Sequence, residues 1–163
     1  MTAGVEEHLA GHPFLAGLPE GSSALLAGCA RLEAFDAGDL LFDEGSPANA
    51  LYLVHEGTVA IEIFGPSTGP VVVDTVGPHG VVGLSWVAPP FRWHFDARAR
   101  TPVVAVVLDS DCLRLRFDAD PALGYALVDR LSEVLLHRLQ TTRIRLLDLY
   151  GADAHRNHDA GAG

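Results

Sequence analysis

The sequence predicts a mainly β protein with flanking helices: a β-roll or jelly-roll barrel with short N-terminal helices and a long C-terminal helix. Three observations predict it. Apolar runs of six residues or fewer succeed one another between residues 31 and 116, Gly-containing turn clusters separate them, and a long stretch without turn signals begins at Pro121. Strands this short, joined by glycine, close into a sandwich or barrel, and a long turn-free segment after them is a terminal helix.

The elements follow in chain order. Residues 1–11 are an N-terminal segment. Ser22 or Ser23 is placed to cap a helix carrying Leu25, Leu26 and Cys29 on one side. Strands are expected at Leu40 to Phe42, Leu51 to Val54, Thr58 to Phe64, Val71 to Val76, Phe95 to Arg100, Val103 to Leu108 and Cys112 to Arg116. Between them lie DAGD at 36–39, DEGSPAN at 43–49, HEG at 55–57, GPSTGP at 65–70 and GPHG at 77–80. Ile61 and Ile63 alternate with Glu62, and Leu113 and Leu115 with Arg114 and Arg116, as in half-buried strands. Asp120 is a good N-cap with Pro121 at the first helical position, and Gly151 marks the end of a helix over 121–149. The polar segment 150–163 is too poor in apolar residues to pack and is expected to be a disordered tail.

Composition narrows the function. Twenty-one acidic residues against eleven arginines and no lysine give a formal charge of −10, with no basic stripe to track phosphates. Duplex DNA and anionic membranes are therefore not expected partners. The apolar runs fall far short of a bilayer span. MTAGVEEHLAGH has two Glu and no basic residue before a broken apolar stretch, unlike a signal peptide, so a cytoplasmic protein is expected. Cys29 and Cys112 lack CxxC spacing and read as free buried thiols. Gly83-Leu84-Ser85-Trp86 lacks the second glycine of a nucleophile elbow. His8 with His12, and His155 and His158 with Asp153, offer no complete metal shell, while His55 and His79 sit in turns. No acid–base pair is apparent, so no enzyme activity, metal or cofactor is expected.

The stretch HPFLAGLPEGSSALLAGCARLEAFDAGDLLFDEGSPANALYLVHEGTVAIE, with its opening helix and its AGD, FDEG and LYLVHEG turns, resembles the cyclic-nucleotide-binding domain family. The resemblance covers residues 12–149, which is thus one domain including the long helix. It implies a ligand cassette in which a Gly-Glu pair opens a one-turn helix and an Arg follows about ten residues on; helix end and Arg hold the cyclic phosphate, and Glu accepts from the ribose hydroxyl. In GPHGVVGLSWVAPPFRWHFDARA the glycine is Gly83, the glutamate position is Leu84 and the arginine position is Trp93, between Arg92 and His94. Strand alternation turns Trp93, Phe95, Ala97 and Ala99 toward the pocket and Arg92, His94, Asp96, Arg98 and Arg100 away.

Both charged determinants are then apolar, and cyclic AMP binding is not expected, because a buried phosphate would lack its counter-charge. Three alternatives stay open for the cassette residues Gly83, Leu84, Ser85, Trp86, Arg92, Trp93 and Phe95. They fill the former pocket as core, line a site remodelled for a less charged or aromatic ligand, or form a docking face in which the two Trp anchor a protein partner. A cyclic nucleotide in a non-standard pose requires Arg92 to turn inward.

Relatives resembling catabolite-activator regulators carry a helix-turn-helix after the long helix. The fourteen residues after Leu149 are too few for one, so a stand-alone regulatory module is expected. Along the helix, Leu123, Leu127, Leu131 and Val134 form a stripe suited to packing on the barrel. A second, heptad-spaced stripe of Val128, Ser132, Leu135, Leu139, Thr142, Leu146 and Leu149 predicts a parallel homodimer seam.

Overall fold

The computed structural model describes residues 2–159. Helix α1 (Thr2–Gly11), a one-turn 3-10 helix (Pro13–Leu15) and α2 (Ser22–Ala27) precede eight strands. These are β1 (Ala30–Phe35), β2 (Leu40–Phe42), β3 (Ala50–Glu56), β4 (Val59–Gly65), β5 (Gly69–Val76), β6 (Val81–Val82), β7 (Asp96–Ala99) and β8 (Val103–Asp109). A one-turn helix (Ser85–Val87) lies between β6 and β7, and α3 (Ser110–Ala119) and α4 (Pro121–Asp159) follow β8.

The strands form two four-stranded antiparallel sheets, ordered β1-β8-β3-β6 and β2-β7-β4-β5, the jelly-roll-like arrangement expected. Burial follows the sequence pattern. Leu51, Leu53 and Val54 of β3, Val106 to Leu108 of β8, Val59 to Ile61 of β4, and Ala97 and Ala99 of β7 supply a core from both sheets. Gly57 makes the β3–β4 turn possible. Its φ is +84°, and a Cβ there would sit 2.0 Å from the Pro102 carbonyl oxygen, a space no other residue can share.

Several expectations need correction. The segment Cys112 to Arg116 is not a strand but lies within α3. Asp109 accepts from the Cys112 amide at 2.8 Å and caps the helix, so Leu113 is buried while Leu115 is 72% exposed. Helical spacing thus places Phe117, not Leu115, on the face of Leu113. The α2 helix starts after Gly21, with no side-chain cap; the Ser22 hydroxyl donates to the Pro19 carbonyl, and Leu25 is exposed. Strands β1 and β6 have no counterpart among the predicted runs. Nor does the last helix stop at Gly151, for α4 continues to Asp159. One glycine costs a helix only about 1 kcal/mol relative to Ala, too little to end it. The rest of the expected tail, 160–163, lies outside the described residues.

The cysteines are not free thiols. Cys29 and Cys112 form a disulfide with Cα atoms 5.5 Å apart. The β1–β8 pairing brings them together: Ala30 is opposite Leu108, and the Asp109 amide donates to the Cys29 carbonyl at 2.9 Å.

The chain divides into two compact units, one up to Leu127 and one from Val128. The first holds both sheets, α1 to α3 and the start of α4. The second is helical, and Val128, Leu135, Leu139, Leu146 and Leu149 are all exposed along it while Leu131 is buried; Leu123 and Leu127, in the first unit, are buried as well. The two polar members of the heptad stripe turn their hydroxyls back onto the helix: Ser132 donates to the Val128 carbonyl at 2.9 Å and Thr142 to that of Arg138 at 2.8 Å.

Candidate functional site

The cassette leaves β6 at Gly83, whose φ is +89°. A Cβ at that position would lie 2.9 Å from the tip of the Trp93 ring, so a side chain and this tryptophan cannot coexist there. Leu84 is buried and precedes the one-turn helix without offering a capping side chain. Ser85, half-buried, and Trp86, buried, occupy the turn itself. The chain then passes the cis Pro89-Pro90 bond and Phe91, a non-glycine residue at φ +55°.

From there the cassette is pinned to the 43–49 turn. The Trp93 amide donates to the Ser46 carbonyl at 3.0 Å, Gly45 donates back to the Trp93 carbonyl at 2.9 Å, and Ala48 donates to Phe91 at 2.8 Å. Arg92 is exposed and its guanidinium donates to the Gly45 carbonyl at 2.7 Å. It therefore braces the turn from outside instead of reaching the interior. On the following strand Ala97 and Ala99 are buried while Arg98 is half-buried and pairs with Glu62 at 3.3 Å, in keeping with the alternation read from the sequence.

Trp93 is 2% exposed and lies inside the barrel. Its ring stacks on Phe42 with centroids 3.7 Å apart and an interplanar angle of 12°, and Tyr52 approaches it at 6.5 Å. Phe95 reaches the same cluster through Phe42 at 5.9 Å, as does Tyr52 at 5.6 Å. Burial pushes the Tyr52 phenol up to about 12, and its hydroxyl donates to the Leu41 carbonyl at 3.2 Å. The cluster is thus neutral and aromatic. Its rings carry no formal charge with which to pair an anion.

Trp86 lies on a different side of the cassette, near Phe117 of α3 at 6.3 Å. Arg114 of the same helix donates to the Trp86 carbonyl, and its guanidinium sits 4.6 Å from the Phe91 ring centroid. Both Trp are buried, so neither ring is exposed on the surface of the domain. Gly83, Trp93 and Phe95 come together around the barrel interior; Trp86 joins α3, and Arg92 faces out.

Three features were not legible in the sequence as site components. Phe42 and Tyr52 appear there only as members of apolar strands. Arg114 read as the outward residue of a strand, and only the helical register turns it toward the cassette. His12, read with His8 only as an incomplete metal shell, is buried. Its Nε2–H donates to the Val54 carbonyl at 3.2 Å while Nδ1 accepts from the Phe14 amide at 3.3 Å, which fixes the neutral tautomer. His8 stacks edge-on against His55 at 4.9 Å, and His12 lies 5.1 Å from His55 and 6.2 Å from His79. Burial first, then the neighbouring His55 and His79, lower the His12 pKa to about 4, and burial also lowers that of His55.

The fold recurs in known proteins. A candidate cyclic nucleotide-binding protein of Geobacter metallireducens is 30% identical, with a TM-score of 0.72 over 82% of this chain and 97% of that one. The N-terminal domain of a transcriptional regulator from Streptomyces coelicolor is 27% identical, with a TM-score of 0.65 over 85% and 94% of the two chains. The regulatory subunit of a cAMP-independent protein kinase A from Trypanosoma cruzi, bound to guanosine, is 25% identical, with a TM-score of 0.60 over 76% and 48%. Among curated proteins, the CRP-like cAMP-activated global transcriptional regulator of Mycobacterium tuberculosis is 30% identical over 119 residues, 73% of this chain. The chain spans about half of that relative's length, 51%. No helix among the described residues is long and apolar enough to cross a membrane. Residues 32–119, more than half of the chain, match the family described as the cyclic nucleotide-binding domain, and the chain belongs to that family.

Proposed function

We propose that this chain is a non-enzymatic, cytoplasmic regulatory module in which the cyclic nucleotide determinants have been exchanged for an aromatic core, and which acts by protein contact, first of all with a second copy of itself. The observation that carries this reading is Trp93, buried and stacked on Phe42 at the position where the family resemblance puts the phosphate-binding Arg. Leu84 likewise stands at the ribose-acceptor position and has no charge. A cyclic phosphate in this barrel would be buried without a guanidinium, a penalty of several kcal/mol that the one-turn helix cannot offset. The −10 charge further disfavours duplex DNA and anionic membrane surfaces as partners.

Calorimetric titration with cyclic AMP and cyclic GMP tests the reading. No dissociation constant below about 10 μM is expected, and one found there, equivalent to roughly −6.8 kcal/mol, would overturn it. A second reading, a sensor for an uncharged nucleoside, is favoured by the guanosine bound to the Trypanosoma cruzi protein. Guanosine belongs in the same titration, since saturation by guanosine and not by either cyclic nucleotide selects it.

Self-association is supported by the heptad stripe of α4, exposed at Val128, Leu135, Leu139, Leu146 and Leu149, with Ser132 and Thr142 satisfied internally. Light scattering at micromolar concentration is expected to give about twice 17.3 kDa. Leu139→Asp would bury an unpaired charge in the seam and is expected to yield monomer. A Leu139→Asp protein that stays dimeric rules this seam out.

A further inference from the structure

The two cysteines of the Cys29–Cys112 bridge differ in exposure and surroundings. Cys29 is buried at the joint of α2 and β1, whereas Cys112 is half-buried in the first turn of α3. That position lies at the positive end of the helix. Arg116, one turn on, brings a guanidinium nitrogen within 2.9 Å of where a Gly28 Cβ would be, beside the bridge. A helix N-terminus and a nearby cation both favour a thiolate, the form that attacks and leaves in disulfide exchange. Two residues after Cys112 stands Arg114, the residue of α3 that holds the Trp86 carbonyl and covers the Phe91 ring. The bridge therefore ties down the helix turn that clamps the cassette.

We propose that Cys29–Cys112 is a thiol–disulfide exchange site for a dithiol reductant, and that its redox state sets how firmly Arg114 holds residues 83–95. The proposal rests on the cytoplasmic assignment above, because in a reducing compartment a disulfide is a redox element and not a permanent brace. A reductant thiolate attacks the sulfur of Cys112, the more exposed of the two residues, the S–S bond breaks, and its electron pair leaves on Cys29 sulfur, which takes a proton. The second reductant thiol then attacks its own sulfur in the mixed disulfide and expels the Cys112 thiolate, which is protonated in turn. Two electrons and two protons pass to the protein, and the dithiol becomes a disulfide. Freed of its tie to the α2–β1 joint, the first turn of α3 gains play, and Arg114 with it.

Amide hydrogen exchange on the full chain, oxidised and after treatment with dithiothreitol, tests this. Reduction is expected to speed exchange in residues 83–95 about tenfold while β3 and β8 keep their protection. Arg114→Gln with the bridge intact should give the same acceleration and remove most of the further response to dithiothreitol. Unchanged exchange at 83–95 once thiol titration finds both cysteines free would overturn the proposal. So would equal loss of protection in β3 and β8, which makes the bridge a brace of the whole domain. Failure to form the bridge in oxidised glutathione likewise ends it. None of these outcomes bears on cyclic nucleotide affinity, which the titration above decides separately.

Discussion

Trp93→Ala is expected to destabilise the domain by about 3–5 kcal/mol, the range for removing a large buried aromatic from a packed core. The indole is stacked at 3.7 Å on Phe42 and touches the Cβ-free surface of Gly83, so its loss leaves a void bounded by aromatic rings that cannot collapse across the sheets. Urea unfolding should move its midpoint accordingly, with little change in slope. Trp93→Phe, which keeps a ring on Phe42, should recover much of the loss. If Trp93→Ala costs less than about 1 kcal/mol, the ring is not the core element described, and the case for a filled nucleotide pocket goes with it.

Acid should weaken the fold through His12. Its folded pKa of about 4 lies below the ordinary 6.5, so the unfolded chain binds the proton more readily. The stabilisation from keeping this ring neutral is complete above about pH 6.5 and is lost as pH falls toward 4, a total of about 3 kcal/mol. The structural cause is direct: protonating Nδ1 destroys the acceptor that holds the Phe14 amide and charges a ring already faced by His55 and His79, with His8 and Glu56 beyond them. His55, also lowered by burial, acts in the same direction. Unfolding free energies of wild type and His12→Gln, measured from pH 7.5 to 4, should converge by that amount as pH falls. Parallel curves would show that His12 does not titrate with the fold.

How far the sequence reveals this molecule depends on the range of each interaction. The alternation of Ala97 and Ala99 with Arg98 was legible because a strand repeats every two residues, and the inward and outward residues differ sharply in polarity. The same rule misassigned Leu113-Arg114-Leu115-Arg116, since four alternating residues fit a strand as well as a capped helix, and only Asp109 distinguishes the two. His12 meets Val54 across 42 positions, and Cys29 meets Cys112 across 83. No local pattern encodes either meeting; both depend on strands pairing elsewhere, and β1 was itself not recognised. The extension of α4 past Gly151 shows how weak a single punctuation residue is beside an established helix.

The placement of the two tryptophans has a practical consequence. They are the only indoles in the sequence, both are 2% exposed, and they sit in separate surroundings, one ring against Phe42 in the barrel and the other beside Phe117 of α3. Each can therefore serve as an intrinsic optical reporter, blue-shifted while packed and red-shifted on meeting water. Trp86→Phe leaves emission from the barrel interior alone, and Trp93→Phe leaves emission from the α3 contact, so the two regions can be followed in solution without any attached dye.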